Sequence, residues 1–311
     1  GVIWKQLLFF FFPILIGSFF QQLYNTVDTI IVGQAVGTSA LAAVGSTGNL
    51  TSLIVNFYVG LSTGASVVIA QYYGAQNNKK IHQAVHTSYS LAIVSGILMM
   101  LFGLFFSYQC LDAIGTPHDI LNDATLYMQL YFLCMIPGAI YNIGAGILRA
   151  VGDSKRPLYY LIICSIVNVV FDFIFVVIFH QGIAGAAIAT VIAQSVCAIL
   201  VTIQLMRTNE VYKLTLSKMK FHLPVLKKII MIGAPAGIQS TMYSISNIVL
   251  QSHINAFGTQ TIASWSVYVK IDALFWMMIA AIGAAITTFS GQNYGCLLYT
   301  SPSPRDLSTS R

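Results

Sequence analysis

The chain has 311 residues, 57% of them hydrophobic and only 8% charged, with a formal net charge of +6 and a mean hydropathy of +0.77. An ordinary soluble domain carries about 25% charged residues, so composition excludes one and points to an integral membrane protein. A positive charge suits nucleic acid as well as a membrane surface, and where the basic residues fall decides between them.

Apolar runs near or above the ~20 residues that cross a ~30 Å hydrocarbon core recur along the chain, separated by short polar loops. Eight membrane-spanning helices are expected, over residues 7–32, 48–70, 84–107, 121–147, 158–179, 183–206, 226–256 and 262–290. The first run is too long for a signal-peptide core and no small-residue cleavage site follows it. Lys5 precedes the first segment, Lys79 and Lys80 lie between the second and third, and Arg149, Lys155 and Arg156 between the fourth and fifth. Arg207, Lys213, Lys218, Lys220, Lys227 and Lys228 surround the connection from sixth to seventh. The alternate loops contain no Lys or Arg, and the loop after the third segment holds Asp112, Asp119 and Asp123. The positive-inside rule places the N-terminus of this multi-pass protein in the cytoplasm. The basic bias is a topology signal, and no nucleic-acid partner is expected.

On the first segment Gln21, Asn25 and Asp28 fall at i, i+4 and i+7 with Tyr24 beside them, one polar stripe on an apolar helix. Pro13 and Pro235 are expected near the starts of matched helices, and Pro137 is expected to kink the fourth segment. Cys110, Cys134, Cys164 and Cys197 show no CxxC or metal spacing and read as small buried hydrophobes. His82 and His86 are an i, i+4 pair with no third ligand apparent, and a solvated face is expected for them. On the fifth segment Ser165, Asn168 and Asp172 fall at i, i+3 and i+7; on the sixth, Thr190 and Gln194 at i, i+4. A carboxylate facing lipid at mid-bilayer costs about 2.5 to 3.5 kcal/mol on the most lenient scale, so all three stripes are expected to face the interior of one bundle. There Asp28 and Asp172 would be desolvated and mutually repulsive, and a proton or a Na⁺ held by oxygens relieves both penalties. Hydrogen bonding between helices is the competing reading for Asn25, Ser165 or Gln194 alone; two intramembrane acids without a basic partner in the lobe argue for function.

Lys270 and Asp272 on the eighth segment point to different sides of their helix and are expected to line a cavity between lobes, although a snorkelling Lys270 competes. Tyr141, Asn142, Asn247, Gln251 and Trp276 complete the expected substrate cavity with Gln21, Tyr24 and Asn25; flat aromatic faces suit planar cations. After "GQNYG" at 291–295 the string "CLLYTSPSPRDLSTSR" abandons apolar periodicity and resembles translated sequencing-adapter read-through, so residues 296–311 are expected to be a non-native tail.

The chain repeats itself. The region from Pro13 aligns with that from Pro235: Asn25 matches Asn247, "AVGTSALA" at 35–42 lies over "AFGTQTIA" at 256–263, and Gln71, Tyr73 and Gly74 match Gln292, Tyr294 and Gly295. An even number of helices separates the copies, so the repeat is parallel. The expected organisation is an N-terminal lobe over 1–206, a basic cytoplasmic linker over 207–225, and the start of a C-terminal lobe over 226–295. The fold class is all-α, two pseudo-symmetric six-helix bundles with twelve helices when complete, about eight of them here.

The segments "FFPILIGSFFQQLYNTVDTIIVGQAVG", "GAGILRAVGDSKRP", "NVVFDFIFV" with "GIAGAAIATVIAQ", and the paired "AQYYGA" and "GQNYG" resemble those of the multidrug and toxic compound extrusion (MATE) transporters, over essentially residues 1–295. The resemblance implies antiport in which H⁺ or Na⁺ enters while an organic cation leaves, with alternating access between lobes. It also implies that Asp28, Asn168, Asp172 and Thr190 occupy the N-lobe cation site. No cofactor beyond the transported ion is expected; the partners expected are membrane lipid and small organic cations, with the protein monomeric. The competing functions are a flippase for lipid-linked oligosaccharide or peptidoglycan precursor, which would need a basic cavity, and an intramembrane enzyme. The chain has no HExxH, GxSxG or GxGD motif, which argues against an enzyme.

Overall fold

The computed structural model describes residues 3–255 and 259–296; the tail beyond 296 and the side chains of Gln251 and Lys270, among others, lie outside the described residues. Within them the chain forms nine α-helices and no strand: α1 (Ile3–Ala35), α2 (Thr38–Gly74), α3 (Asn78–Ala113), α4 (His118–Phe132), α5 (Met135–Ala150), α6 (Lys155–Asp172), α7 (Gly182–Arg207), α8 (Leu223–Asn255) and α9 (Thr259–Gly295). A π-helical stretch, Phe173–Ile178, continues α6, and a single 3-10 turn, Leu216–Lys218, interrupts the connection from α7 to α8.

Several helices run longer than the apolar runs, and polar side chains cap two of them. The Asn77 side chain accepts from the Lys80 backbone N–H at 3.1 Å ahead of α3, and Asp153 Oδ1 accepts from the N–H groups of Lys155 and Arg156, both at 3.1 Å, ahead of α6. α1 and α8 begin at Ile3 and Leu223, ahead of their apolar runs, which leaves Pro13 and Pro235 inside them rather than near their beginnings, about three turns in. The fourth expected segment is two helices, α4 and α5, bent by 44°. Pro137 explains the break: its ring collides with the carbonyl of residue i−4, Leu133, and the chain leaves the α-helical ladder at that residue.

Six of the helical spans are long and apolar enough to cross a membrane, and the α4–α5 pair makes a seventh if taken as one. The seventh expected span, α8, has the length but not the apolarity, since residues 239–248 include Gln, Thr, three Ser and Asn. Large apolar side chains cover the outside, among them Phe9, Leu98, Phe105 and Ile166. That is the surface of a multi-pass membrane protein, whose solvent at mid-depth is hydrocarbon.

Inside, small residues set the helix spacing. Gly17 on α1 packs against Leu158 and Leu161 of α6, and Gly96 on α3 lies against the backbone of Ile136. The fully buried Phe132 ring occupies the space where Gly103 lacks a side chain. α2 runs along α8 and crosses α9 at the end of the molecule that carries the basic loops; there α2 and α9 meet backbone to backbone, and Gln292 Nε2 donates to the Ala150 carbonyl at 2.7 Å. At that end α9 thus contacts both α2 and α5.

His86 is buried, not solvated. Its Nδ1 lies 2.7 Å from the His82 carbonyl, and its Nε2 accepts from the Thr215 N–H at 3.1 Å. The next residue, Thr87, accepts from the His222 N–H at 3.2 Å. Two adjacent residues of α3 thus pin the connection that joins α7 to α8.

Candidate functional site

Tyr24, Asn25 and Asp28 share one face of α1 with Gln21, and this face lines a cavity of about 270 Å³ with Asn56 of α2, Tyr127 and Tyr131 of α4, Asn142 of α5, and Thr190 and Gln194 of α7. The stripes of the first and seventh helices therefore meet as their spacing requires. The stripe of α6 stands behind them. Asn168 and Asp172 are fully buried, and Asn168 Nδ2 donates to Thr190 Oγ1 at 3.4 Å. Thr190 passes its own proton to the Ala186 carbonyl at 3.1 Å, and Gln194 Nε2 donates to the Tyr24 hydroxyl at 3.3 Å.

The acceptors are left over. Asp28 Oδ1, Asn168 Oδ1 and both carboxylate oxygens of Asp172 are buried with no hydrogen-bond partner. Asp172 lies close enough to Asp28 for their charges to interact, and Tyr127 lies within electrostatic range of both. Among the described residues no Lys or Arg lines this cavity. Leaving a buried acceptor unmatched costs about 1 to 3 kcal/mol, and more when it is charged, so these four oxygens on α1 and α6 favour a proton or a small hard cation.

Other expected residues are elsewhere. Tyr141 is buried with its hydroxyl donating to the Pro157 carbonyl at 3.3 Å, which takes it out of the cavity. Asn247 is exposed, and Trp276 is exposed beside Tyr243, ring centroids 5.0 Å apart; neither they nor Asp272 line a described cavity. Gln251 and Lys270 fall on undescribed side chains. Sequence reasoning missed Asn56, Tyr127 and Tyr131. The two tyrosines sit at i, i+4 on the short amphipathic α4, a spacing that carried the signal.

A second cavity, of about 410 Å³, lies toward the basic end between α1, α2, α5 and α9, and touches the first at Gln21 and Asn142. Among the described residues its one charged lining residue is Arg149. The sequence places Arg149 in a basic loop; it is instead in the last turn of α5, turned inward.

The model of the MatE family matches residues 13–174, just over half of the chain. The chain belongs to the MATE family. The probable multidrug resistance protein YoeA of Bacillus subtilis is 28% identical over 302 residues, covering 94% of this chain and 65% of that one. A MATE crystal structure in the bent conformation superimposes with a TM-score of 0.88 at 27% identity, covering 95% of this chain and 66% of that one. The outward-facing conformation of a multidrug resistance MATE family transporter of the MOP superfamily gives 0.87 at 26%, covering 94% and 65%. The MATE chain described here thus spans about 65% of the length of the curated relative.

Proposed function

We propose that the full-length protein is a secondary active exporter of organic cations, driven by H⁺ or Na⁺ through alternating access. The observation that carries this reading is the group of buried, unpartnered oxygens on Asp28, Asn168 and Asp172 beside Thr190. A cation entering there neutralises charge that the low-dielectric interior disfavours. Occupancy repacks α1, which bears Asp28 together with Gln21, Tyr24 and Asn25 of the adjoining cavity. Ion binding thereby lowers the affinity for an organic cation in that cavity, and by linkage the cargo lowers the affinity for the ion.

The absence of Lys and Arg from the wall of this cavity supports cationic cargo over a pyrophosphate-bearing lipid. Relatives carry names such as probable multidrug resistance protein, which supports export over intramembrane catalysis. Solved relatives are described in bent and straight conformations, which supports movement between states. We place the basic end in the cytoplasm by the positive-inside rule.

The test uses full-length protein in vesicles, with a fluorescent planar cation and an imposed pH or Na⁺ gradient. Asp28→Asn and Asp172→Asn are each expected to abolish gradient-driven efflux. Undiminished efflux in both variants overturns the proposal.

A further inference from the structure

His86 is a titratable group buried outside both cavities, with 0% of its surface exposed, and its contacts fix its protonation state. A carbonyl only accepts, so the 2.7 Å contact with the His82 carbonyl makes Nδ1 the protonated nitrogen. Nε2 of the neutral ring then accepts from the Thr215 N–H at 3.1 Å. Thr87 accepts from the His222 N–H at 3.2 Å, so two backbone amides of the connection between α7 and α8 end on α3.

The charged and titratable groups around His86 are basic. His82 of the same helix stacks on it, ring centroids 4.0 Å apart, and Lys218 and His222 of the connection lie within electrostatic range of His82. Lys80 of α3 and Lys228 of α8 are turned to the Tyr72 ring of α2, at 5.6 and 5.4 Å. Among the described residues no Asp or Glu forms a salt bridge with any of these groups. A second proton on His86 would sit on Nε2 and face the Thr215 N–H, donor against donor. The Thr215 carbonyl, 3.2 Å away, could take that proton only if the contact turned round. The added charge would also lie in an enclosed site with no acid to balance it.

We propose that His86 is a pH-sensitive clasp: neutral, it holds the connection between α7 and α8 against α3, and protonated, it lets go. Imidazole changes charge between about pH 5 and 8, so the clasp is shut at neutral pH and opens in acid. The sign follows from linkage. The docked connection accepts only the neutral ring, the released one leaves the ring free to bind a proton, and falling pH favours the state that binds more protons. Release slackens the tether between α7 and α8. This assignment rests on contacts between α3 and the connection and does not depend on the coupling ion or on export.

The experiment measures amide hydrogen exchange by mass spectrometry in purified full-length protein, over peptides spanning residues 208–222, with each rate divided by the intrinsic rate at the same pH. Protection of the Thr215 and His222 amides is expected to fall on the order of tenfold between about pH 7.5 and 5.5, while that of α3 and α7 holds. His86→Gln keeps a donor for the His82 carbonyl and an acceptor for the Thr215 N–H but gains no proton, so its protection is expected to be the same at both pH values. His82→Gln and His222→Gln are expected to retain the fall. Exchange of the His86 ring C2 hydrogen, followed over the same range in the native protein, reads the protonation of His86 without any substitution, and its midpoint is expected to coincide with the release. Protection independent of pH in the native protein overturns the proposal. So does a fall that survives in His86→Gln, one that disappears in His82→Gln or His222→Gln, or a release that occurs while His86 stays neutral. A His86→Gln protein that docks at neither pH leaves the decision to the native ring titration.

Discussion

Gly74 and Gln292 meet backbone to backbone where α2 crosses α9: a β-carbon on Gly74 would overlap the Gln292 carbonyl. The repeat makes the contact reciprocal, since a β-carbon on Gly295 would overlap the carbonyl of Gln71, the residue that matches Gln292. Gly74→Ala therefore destabilises this crossing of α2 and α9 by about 1 to 3 kcal/mol, the usual cost of overpacking. A cysteine introduced at Thr288, buried in the second cavity, should react faster with a maleimide in the Gly74→Ala background. Equal reaction rates would show that the crossing does not limit access to that cavity.

Asp172 carries two buried oxygens without partners. Asp172→Asn keeps the shape and removes the charge, so in Na⁺-free alkaline buffer, where the carboxyl is ionised, it should raise stability by about 1 to 3 kcal/mol while abolishing coupling. Thermal unfolding of the purified variant reads the first effect. A lower melting temperature would mean that the carboxylate has a partner after all.

His86 holds the connection between α7 and α8 through Thr215. His86→Ala leaves the Thr215 N–H unmatched and a cavity behind it, a combined cost of about 2 to 4 kcal/mol. Limited proteolysis should then cut within residues 208–222 many times faster than in the native protein. An unchanged digestion pattern would assign the connection's order to other contacts.

Gly103 and Phe132 form a size-matched pair across α3 and α4. Gly103→Ala should lower stability by about 1 to 3 kcal/mol, and adding Phe132→Leu should recover part of that loss even though it costs stability alone. A double-mutant cycle measures the coupling; strict additivity would contradict the packing.

Helices and polar stripes were legible because both depend on local periodicity. The spacing of Gln21, Asn25 and Asp28 needs only one helix to place three side chains on one face, and Pro137 needs only its own ring to break the ladder at Leu133. Arg149 and His86 were misread for a common reason. Near a loop, a basic residue or a histidine has the same sequence context whether it meets water or turns inward, and the choice is made by helices far away in the chain. Arg149 faces inward because α9 lies across α5, 140 residues later; His86 is buried because the connection at 215–222 folds back over it. Tyr141 shows the converse, an aromatic assigned to the cavity whose hydroxyl is drawn to Pro157 instead.

Asp172 is the last α-helical residue before the π-helical Phe173–Ile178. A π-turn holds one residue more than an α-turn, and each residue of an α-helix turns the chain by about 100°. The aim of this carboxylate relative to the outer end of its helix is thus fixed by a residue count, not by residue identity. Deleting a single residue among 173–178 would keep every side chain named in the cavity and still swing the outer end of the helix by more than a quarter turn, so an alignment gap there would matter more than many substitutions.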